Sequence, residues 1–219
     1  MPVRSTFSCS LVLVGGLSAC SSPVTPVRPA STDALASREI EFDVPAPRAR
    51  FVKAFLAAPL ARFIPGTKAL PGVDHTEPLT ASRYPAVGSV RLVVLKDQKT
   101  AHEEVLECNE GLLRYLVTEY TSEAAAPIAY GLGEFRFADA GERTHVTWRY
   151  SFKLRGDRFP GWLGGLGRSL FRSRFLDKDY AELMASVAGA IQDFGAHEGR
   201  GPEDTPPAPV PPAELGAPR

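Results

Sequence analysis

Hydrophobic and polar residues alternate along most of the middle of the chain, a pattern typical of half-buried β-strands. The clearest case is 144–155, where apolar side chains from Val146 to Leu154 alternate with polar ones. Short polar or glycine-containing segments at 96–99 and 109–111 predict turns between strands. The same alternation predicts further strands at 38–44, 72–80, 89–95, 102–108, 112–120 and 130–138.

Helical spacing flanks this run of strands. Apolar residues at 51, 52, 55 and 56 predict a first helix that Pro59 ends, and a second short helix is predicted at 60–63. Toward the C-terminus, a single apolar stripe predicts one long helix of about seven turns. The residues of this stripe are Leu170, Leu176, Tyr180, Leu183, Val187, Ile191 and Phe194.

The order of these elements indicates an α+β fold. It consists of one strand, two short helices, about six antiparallel strands and a long C-terminal helix. An antiparallel sheet with one apolar face has to cover that face, and only the long helix is large enough to do so. We therefore expect a curved sheet that grips the C-terminal helix.

Several local features accompany this order. They are the Pro-Ala-Pro segment at 45–47, Gly88 before a strong hairpin, and the aromatic final strand that begins at Thr144. Together they resemble the START-like superfamily, also called the polyketide cyclase, SRPBCC or helix-grip family, from Glu39 to about Phe194. Phenylalanines stand in the first helix where that family often has tryptophan. The resemblance implies a cavity between sheet and helix that admits an apolar ligand, and it implies no particular reaction.

The start of the chain predicts export and lipidation. Arg4 is the only charged residue before an apolar segment at 11–19, which is shorter than the roughly 20 residues needed to span a bilayer. The segment closes on Leu-Ser-Ala-Cys, which resembles the lipobox of bacterial lipoproteins, whose cysteine is acylated and becomes the first residue. We expect 1–19 to be a signal peptide and Cys20 to carry the lipid. The alternative is an ordinary cleavable signal in which Cys20 is incidental.

Two low-complexity segments bound the predicted domain. Residues 20–37 are rich in Ser, Thr, Pro and Ala, and they predict a flexible lipidated tether. Residues 198–219 contain many prolines and predict an extended, unstructured tail. The periodic patterns occupy 38–197, which we interpret as one domain.

Composition narrows the class of partner. The chain has 25 Lys and Arg against 25 Asp and Glu, which gives no argument for nucleic acid. Cys108 is the only cysteine beyond Cys20, so the mature chain has no disulfide of its own.

Ser21, which follows the predicted lipidated cysteine, resembles the sorting pattern by which enteric bacteria direct lipoproteins to the outer membrane. We therefore expect a protein of the cell envelope, anchored in the outer membrane and facing the periplasm.

The candidate ligand site lies on the inward faces of the last strand and the long helix. The glycine-rich segment 161–167 is either a flexible portal of that site or a simple hinge that lets the helix fold back. The alternative for the inward aromatic residues is an ordinary filled core. The candidate cavity residues are Trp148, Tyr150, Phe152, Leu106, Leu170, Leu183 and Val187, and the candidate portal residues are Trp162, Leu163 and Leu166.

One strand offers a candidate acid–base pair. If His102, Glu104, Leu106 and Cys108 share the inward face, His102 and Glu104 could exchange protons with a ligand. The alternative is that both lie at the wet end of the strand. The segment is not a His-Glu-x-x-His zinc motif because position 106 is leucine. The sequence predicts no metal and no cofactor.

Charge is segregated along the chain. Residues 101–142 contain nine acidic and two basic residues, whereas 143–178 contain nine basic residues and two aspartates. Cross-strand pairing would account for this. The alternative is a basic and aromatic rim against anionic head groups. That rim would consist of Arg158, Arg168, Arg172 and Arg174 around Trp162.

These observations favour binding over catalysis. The leading hypothesis is a membrane-anchored lipoprotein that binds a lipid or another hydrophobic small molecule in a helix-grip cavity. A cyclase- or dehydratase-like enzyme that uses the same cavity is the second hypothesis. The third is an envelope protein-interaction module without a ligand, although the sequence indicates no specific protein partner.

Overall fold

A computed structural model describes residues 29–30 and 32–199. The predicted signal peptide, Cys20 and residues 200–219 of the predicted tail lie outside the described residues. Seven strands form one antiparallel sheet in the order β1-β7-β6-β5-β4-β3-β2. The strands are β1 Ala36–Val44, β2 Val73–Pro78, β3 Val90–Leu95, β4 Thr100–Asn109, β5 Leu112–Thr118, β6 Ile128–Ala140 and β7 Arg143–Leu154.

Within residues 32–199, three α-helices accompany the sheet. Helix α1 (Arg48–Ala57) and a 3-10 turn at Leu60–Arg62 connect β1 to β2. Helices α2 (Gly165–Phe171) and α3 (Asp179–Gly199) follow β7. This arrangement confirms the predicted α+β helix-grip fold. No helix in the described ranges is long and apolar enough to cross a membrane.

The predicted long helix is divided in two. A π-helical turn at Arg172–Leu176 follows α2, and the chain leaves the helix at Asp177 before α3 begins. A π turn changes the rotation per residue, so one straight stripe cannot continue through it. Leu176 is fully buried, whereas Leu170 is half-exposed, so the two residues do not belong to one buried stripe. Arg38 of β1 donates to the Asp177 carboxylate (Nη1 to Oδ1, 2.9 Å), which ties the break to the sheet.

A β-bulge reverses the predicted faces of β4. Val105 pairs with Tyr115 and Glu107 with Arg114, so Leu106 is an extra residue on this strand. One extra residue moves all positions on its far side to the opposite face. The expectation that His102, Glu104, Leu106 and Cys108 share the inward face is therefore wrong. Cys108 packs against the core, but the buried positions before the bulge are Ala101, Glu103 and Val105.

The last residues of the predicted tether belong to the folded domain. Strand β1 begins at Ala36, which is buried, rather than at 38. Before it, the Asp33 carboxylate accepts hydrogen bonds from Lys153 Nζ at 2.6 Å and Tyr130 Oη at 2.5 Å. These bonds hold the pKa of Asp33 well below its usual value. The segment predicted as flexible through residue 37 is therefore fixed to β6 and β7 from Asp33 onward.

The outer face of β7 carries cross-strand contacts between basic side chains and carboxylates, but not between the two segments of segregated charge. Arg149 Nε donates to Glu39 Oε2 at 2.7 Å, and His145 Nδ1 lies 2.9 Å from Asp43 Oδ1. Their acidic partners come from β1 rather than from the acidic stretch 101–142. Each exposed pair of this kind contributes only about 0–1 kcal/mol to the stability of the fold. The paired residues lie directly opposite each other, however, so the pairs are consistent with the observed register of β1 and β7.

Burial of the inward face of α3 should dominate the stability of the domain. Met184 and Ile191 are fully buried between α3 and the sheet. We expect Met184→Ala or Ile191→Ala to lower the free energy of unfolding by about 2–5 kcal/mol, because each leaves a cavity. Urea-induced unfolding followed by circular dichroism measures this change.

The exposed Asp193 on the same helix provides the control. Asp193→Ala should change the free energy of unfolding by no more than about 0.5 kcal/mol. Equal losses for buried and exposed positions would contradict the observed orientation of α3.

Candidate ligand-binding cavity

A cavity of about 270 Å³ lies between the inner face of the sheet and α3. For comparison, an engineered apolar cavity of about 150 Å³ is large enough to bind benzene. The lining is mostly aliphatic and aromatic, as in most small-molecule sites. Of the residues predicted to line it, Trp148, Tyr150, Phe152, Leu183 and Val187 do so.

Two predicted cavity residues lie elsewhere. Leu106 is the extra residue of the β4 bulge, and Leu170 is half-exposed on α2, so neither lines the cavity. The candidate catalytic residues His102 and Glu104 are also outside it, on the opposite face of β4. Their position removes the geometric basis for the predicted acid–base pair.

Stacked aromatic rings form one wall of the cavity. The rings of Phe135 and Trp148 are nearly parallel, with centroids 4.9 Å apart. Tyr150 lies 4.8 Å from Phe152 and 5.2 Å from Tyr180 of α3. Rings at these separations attract one another beyond their burial, so they form a well-defined surface.

A buried ion pair forms the polar part of the lining. Arg91 donates from Nε and Nη2 to Glu103 Oε1, at 3.0 and 2.6 Å. The Tyr84 ring covers the guanidinium, with its centroid 3.6 Å from the Arg91 Cζ atom. Arg91 alternates with Val93 and Leu95 on β3, and this alternation could have placed it inward from the sequence. Glu103 could not be placed, because carboxylates normally mark the solvent face.

Further polar groups line the cavity without carrying charge. Trp148 Nε1 and Tyr120 Oη are buried and make no hydrogen bond of ordinary geometry within the described part of the chain. Trp148 lies near the Tyr115 hydroxyl, and the Tyr120 hydroxyl lies near that of Tyr150. Because buried donors are normally paired, a ligand oxygen in the cavity would compete with these neighbours for each donor. Burial raises the pKa of the tyrosine hydroxyls here, which stay protonated at neutral pH. The tyrosines affected are Tyr115, Tyr120, Tyr150 and Tyr180.

Two glycines on β6 make room for these tyrosines. A Cβ atom at Gly133 would overlap the Tyr115 ring, and one at Gly131 would lie 2.5 Å from the hydroxyl oxygens of Tyr120 and Tyr150. A glycine inside a strand often marks such a close approach. The Gly-x-Gly spacing on β6 is therefore a sequence signal of this site that the strand pattern alone did not reveal.

The exposed part of the lining shows where the cavity opens. Ala124 in the β5–β6 connection is exposed, while Leu60 and Leu70 between α1 and β2 are half-exposed. Because Ala124 is the one exposed lining residue of the described chain, we infer that the cavity opens near the β5–β6 connection. The predicted portal residues do not line the cavity, and Trp162 and Leu166 project into solvent instead. Leu163, also predicted as a portal residue, is half-exposed beside them.

The polar side chains of the lining are Arg91, Glu103, Trp148, Ser122 and several tyrosines. No histidine or cysteine of the described residues lines it. In the same ranges, no group of three His, Cys, Asp or Glu side chains lies close enough together to hold a metal ion. The arrangement can orient a ligand that is mostly apolar and carries a polar group near Arg91, Glu103 and Trp148.

Comparison with solved structures shows the fold. Ara h 8.0201 is 15% identical with a TM-score of 0.51, covering 75% of this chain and 99% of that one. The ZhuI aromatase/cyclase from Streptomyces sp. R1128 is 16% identical with a TM-score of 0.53, over 76% and 97%. A norcoclaurine synthase from Thalictrum flavum is 13% identical with a TM-score of 0.53, over 78% and 100%. No curated protein matches the sequence.

A family match accompanies this structural similarity. Residues 36–191 match the family described as polyketide cyclase / dehydrase and lipid transport. The matched residues begin with β1 and end within α3, so they include every strand of the sheet. The chain therefore belongs to the polyketide cyclase / dehydrase and lipid transport family.

Proposed function

We propose that this protein is a membrane-anchored lipoprotein that binds a lipid or another hydrophobic small molecule in its cavity. The observation that carries the proposal is the aromatic-lined space of about 270 Å³ beneath α3. A filled core would favour an interaction module without a ligand, and the cavity argues against that reading. The volume suits a single apolar chain or a few fused rings better than a complete two-chain lipid.

The polar groups of the lining define one end of the ligand. Trp148 Nε1 can only donate, so its partner is an acceptor such as a carbonyl, ether or hydroxyl oxygen. Arg91 and Glu103 pair with each other. Both act on the Tyr115 hydroxyl, as Trp148 does, so the pair belongs to the same end of the cavity. The proposed ligand is therefore uncharged or weakly polar, with an oxygen acceptor at one end and an apolar body along the aromatic wall.

An enzyme that uses the same cavity is the second candidate. Glu103, Arg91 and the tyrosine hydroxyls are groups that could move or stabilise charge in a cyclase- or dehydratase-like reaction. Glu103 Oε1 is already held by two donors from Arg91, which favours a structural and orienting role. Binding therefore remains the leading proposal.

The anchor places this binding at a membrane. Acylation at Cys20 supplies buried methylene groups worth about 0.8 kcal/mol each, and two chains are enough for stable attachment. We propose the cell envelope as the location, with the domain attached to the outer membrane and facing the periplasm. The similarity of the start of the chain to a lipobox supports this location.

Ligand uptake should depend on the open space next to α3. The uncharged fluorophore N-phenyl-1-naphthylamine serves as the probe, with the full chain carrying Cys20→Ser so that no detergent is needed. We expect saturable uptake, and we expect Val187→Phe to weaken it about tenfold by filling the cavity.

Ala185→Phe on the exposed face of the same helix is the matched control and should bind like the unsubstituted chain. Fluorescence titration measures all three proteins. Absence of uptake, or equal affinity in the Val187 variant, would count against a ligand-binding cavity.

Removing one member of the buried ion pair should lower the free energy of unfolding more than removing both members. We expect Arg91→Met or Glu103→Leu to lower the free energy of unfolding by about 3–5 kcal/mol, because each leaves an unpaired buried charge. The double variant should lose far less than the sum. Urea unfolding measures the coupling, and additive losses would show that the two groups do not form a unit.

Lipidation should require Cys20 specifically. In a diderm bacterium that expresses the full chain, we expect the mature protein to begin at Cys20 and to carry acyl chains there. Intact-mass spectrometry of the membrane fraction measures this. Cys20→Ser should abolish acylation, whereas Cys9→Ser, inside the predicted signal peptide, should leave it unchanged. Cleavage at another bond with an unmodified Cys20 refutes the anchor.

A further inference from the structure

Three large apolar side chains are exposed together after the end of β7. Phe159, Trp162 and Leu166 are 58%, 61% and 76% exposed, and we call them the Trp162 patch. The rings of Phe159 and Trp162 have centroids 6.3 Å apart. The other exposed large apolar residues of the described ranges, Leu79 and Val87, lie in the β2–β3 connection at the opposite end of the sheet.

The segment that carries the patch is held by backbone hydrogen bonds. The Trp162 amide donates to the Arg158 carbonyl at 3.1 Å, and the Leu163 amide donates to that of Pro160 at 3.0 Å. The Arg168 amide donates to Gly164 at 3.1 Å as α2 begins. The apolar side chains therefore project from an ordered turn. Tryptophan at such a position is typical of contacts with an interface between water and an apolar phase.

Basic residues flank the patch along the chain. Residues 155–178 contain six basic residues and two aspartates. Both aspartates are engaged, Asp157 by Arg155 and Asp177 by Arg38 and Arg172. Three arginines remain, namely Arg158, Arg168 and Arg174. In the described part of the chain, none of them has a carboxylate within ion-pair distance, whereas the basic residues of β7 do.

The described N-terminal segment lies at the same end of the sheet as the patch. Asp33 is fixed to Lys153, which precedes Arg155 by two residues, or about 7 Å along a strand. Cys20 lies 13 residues before Asp33, a separation that spans at most about 45 Å. An acyl anchor at Cys20 would therefore hold this end of the domain close to the bilayer.

We propose that the Trp162 patch and its three unpaired arginines form a docking face for an anionic lipid bilayer. The aromatic and aliphatic side chains enter the head-group region, and the arginines contact lipid phosphates. A protein partner fits less well, because stable protein interfaces bury about 800 Å² on each side, and three side chains provide much less. The position of the predicted anchor and the positive charge of the arginines both favour an anionic bilayer over a protein as the partner of this face.

Docking in this way would also orient the cavity. The Arg155 amide donates to the Pro127 carbonyl at 2.8 Å, which joins the patch segment to the β5–β6 connection. That connection carries Ala124 and Ala125 of the cavity lining. If the proposed function holds, the opening faces the bilayer from which an apolar ligand would come. The docking face itself does not depend on a ligand.

Tryptophan fluorescence tests the docking face directly. The chain has two tryptophans, and Trp148 is buried whereas Trp162 is exposed. The full chain is mixed with vesicles of brominated phosphatidylcholine, with or without phosphatidylglycerol. We expect bromine to quench the Trp162 emission at least about twofold in the anionic vesicles. In Trp162→Phe, the remaining emission of Trp148 should not be quenched.

Substitutions separate the apolar and the charged contributions. Arg158→Ser, Arg168→Ser and Arg174→Ser should each weaken binding to anionic vesicles about fivefold, with little change on neutral ones. Phe159→Ser and Leu166→Ser should weaken binding to both. Val87→Ser, an equally exposed apolar residue at the opposite end, is the control and should have no effect.

Each outcome bears on the proposal. Vesicle-bound protein with unquenched Trp162 overturns it, since the patch would then lie away from the bilayer. Equal binding by the arginine variants overturns the selection of anionic lipid. Uptake of N-phenyl-1-naphthylamine should be unchanged in all patch variants, so failure of the docking face is distinguishable from failure of the cavity.

Discussion

The structure depends on one requirement, which is that the apolar inner face of a single seven-stranded sheet must be kept from water. Helix α3 covers most of this face through Met184 and Ile191, but one helix cannot fill the whole concave surface. The aromatic side chains of β6 and β7 occupy much of the remaining space, and a cavity of about 270 Å³ is left. The candidate site is therefore a direct result of how a curved sheet and one helix pack together.

The same packing explains why polar groups can lie inside. A buried charge is tolerated only when it is paired, and Arg91 and Glu103 on neighbouring strands pair at 2.6 Å. The Tyr84 ring shields the guanidinium from the apolar lining. Glycines at 131 and 133 let tyrosine side chains lie against β6, which brings their hydroxyls to the cavity. Ligand chemistry is thus set by a few polar groups on a rigid aromatic surface.

The two ends of the sheet differ in the charge and polarity of the residues they carry. One end carries the fixed Asp33, the Trp162 patch with its unpaired arginines, and the connection that contains Ala124 of the cavity lining. The other carries the tight β4–β5 and β6–β7 turns and the exposed Val87. With the proposed anchor and docking face, this asymmetry would give the domain one preferred orientation at a membrane surface. The ion pairs between β1 and β7 support it by fixing the strand from which the N-terminal segment departs.

The sequence by itself determined the element order and the inward face of β7, because strict alternation on one long strand has a single interpretation. From this face and the stripe of the C-terminal helix it also identified part of the cavity wall, namely Trp148, Tyr150, Phe152, Leu183 and Val187. It also contains the segment Leu-Ser-Ala-Cys ending at Cys20, which resembles a lipobox and on which the proposed anchor rests. Only the tertiary structure decided that Glu103 rather than Glu104 faces inward, since the bulge at Leu106 inverts the alternation and Arg91 on the next strand neutralises the carboxylate. It likewise decided that α2 and α3 are separate and that the cavity opens beside Ala124 rather than at Trp162. These features depend on contacts between residues distant in sequence, which local periodicity does not contain.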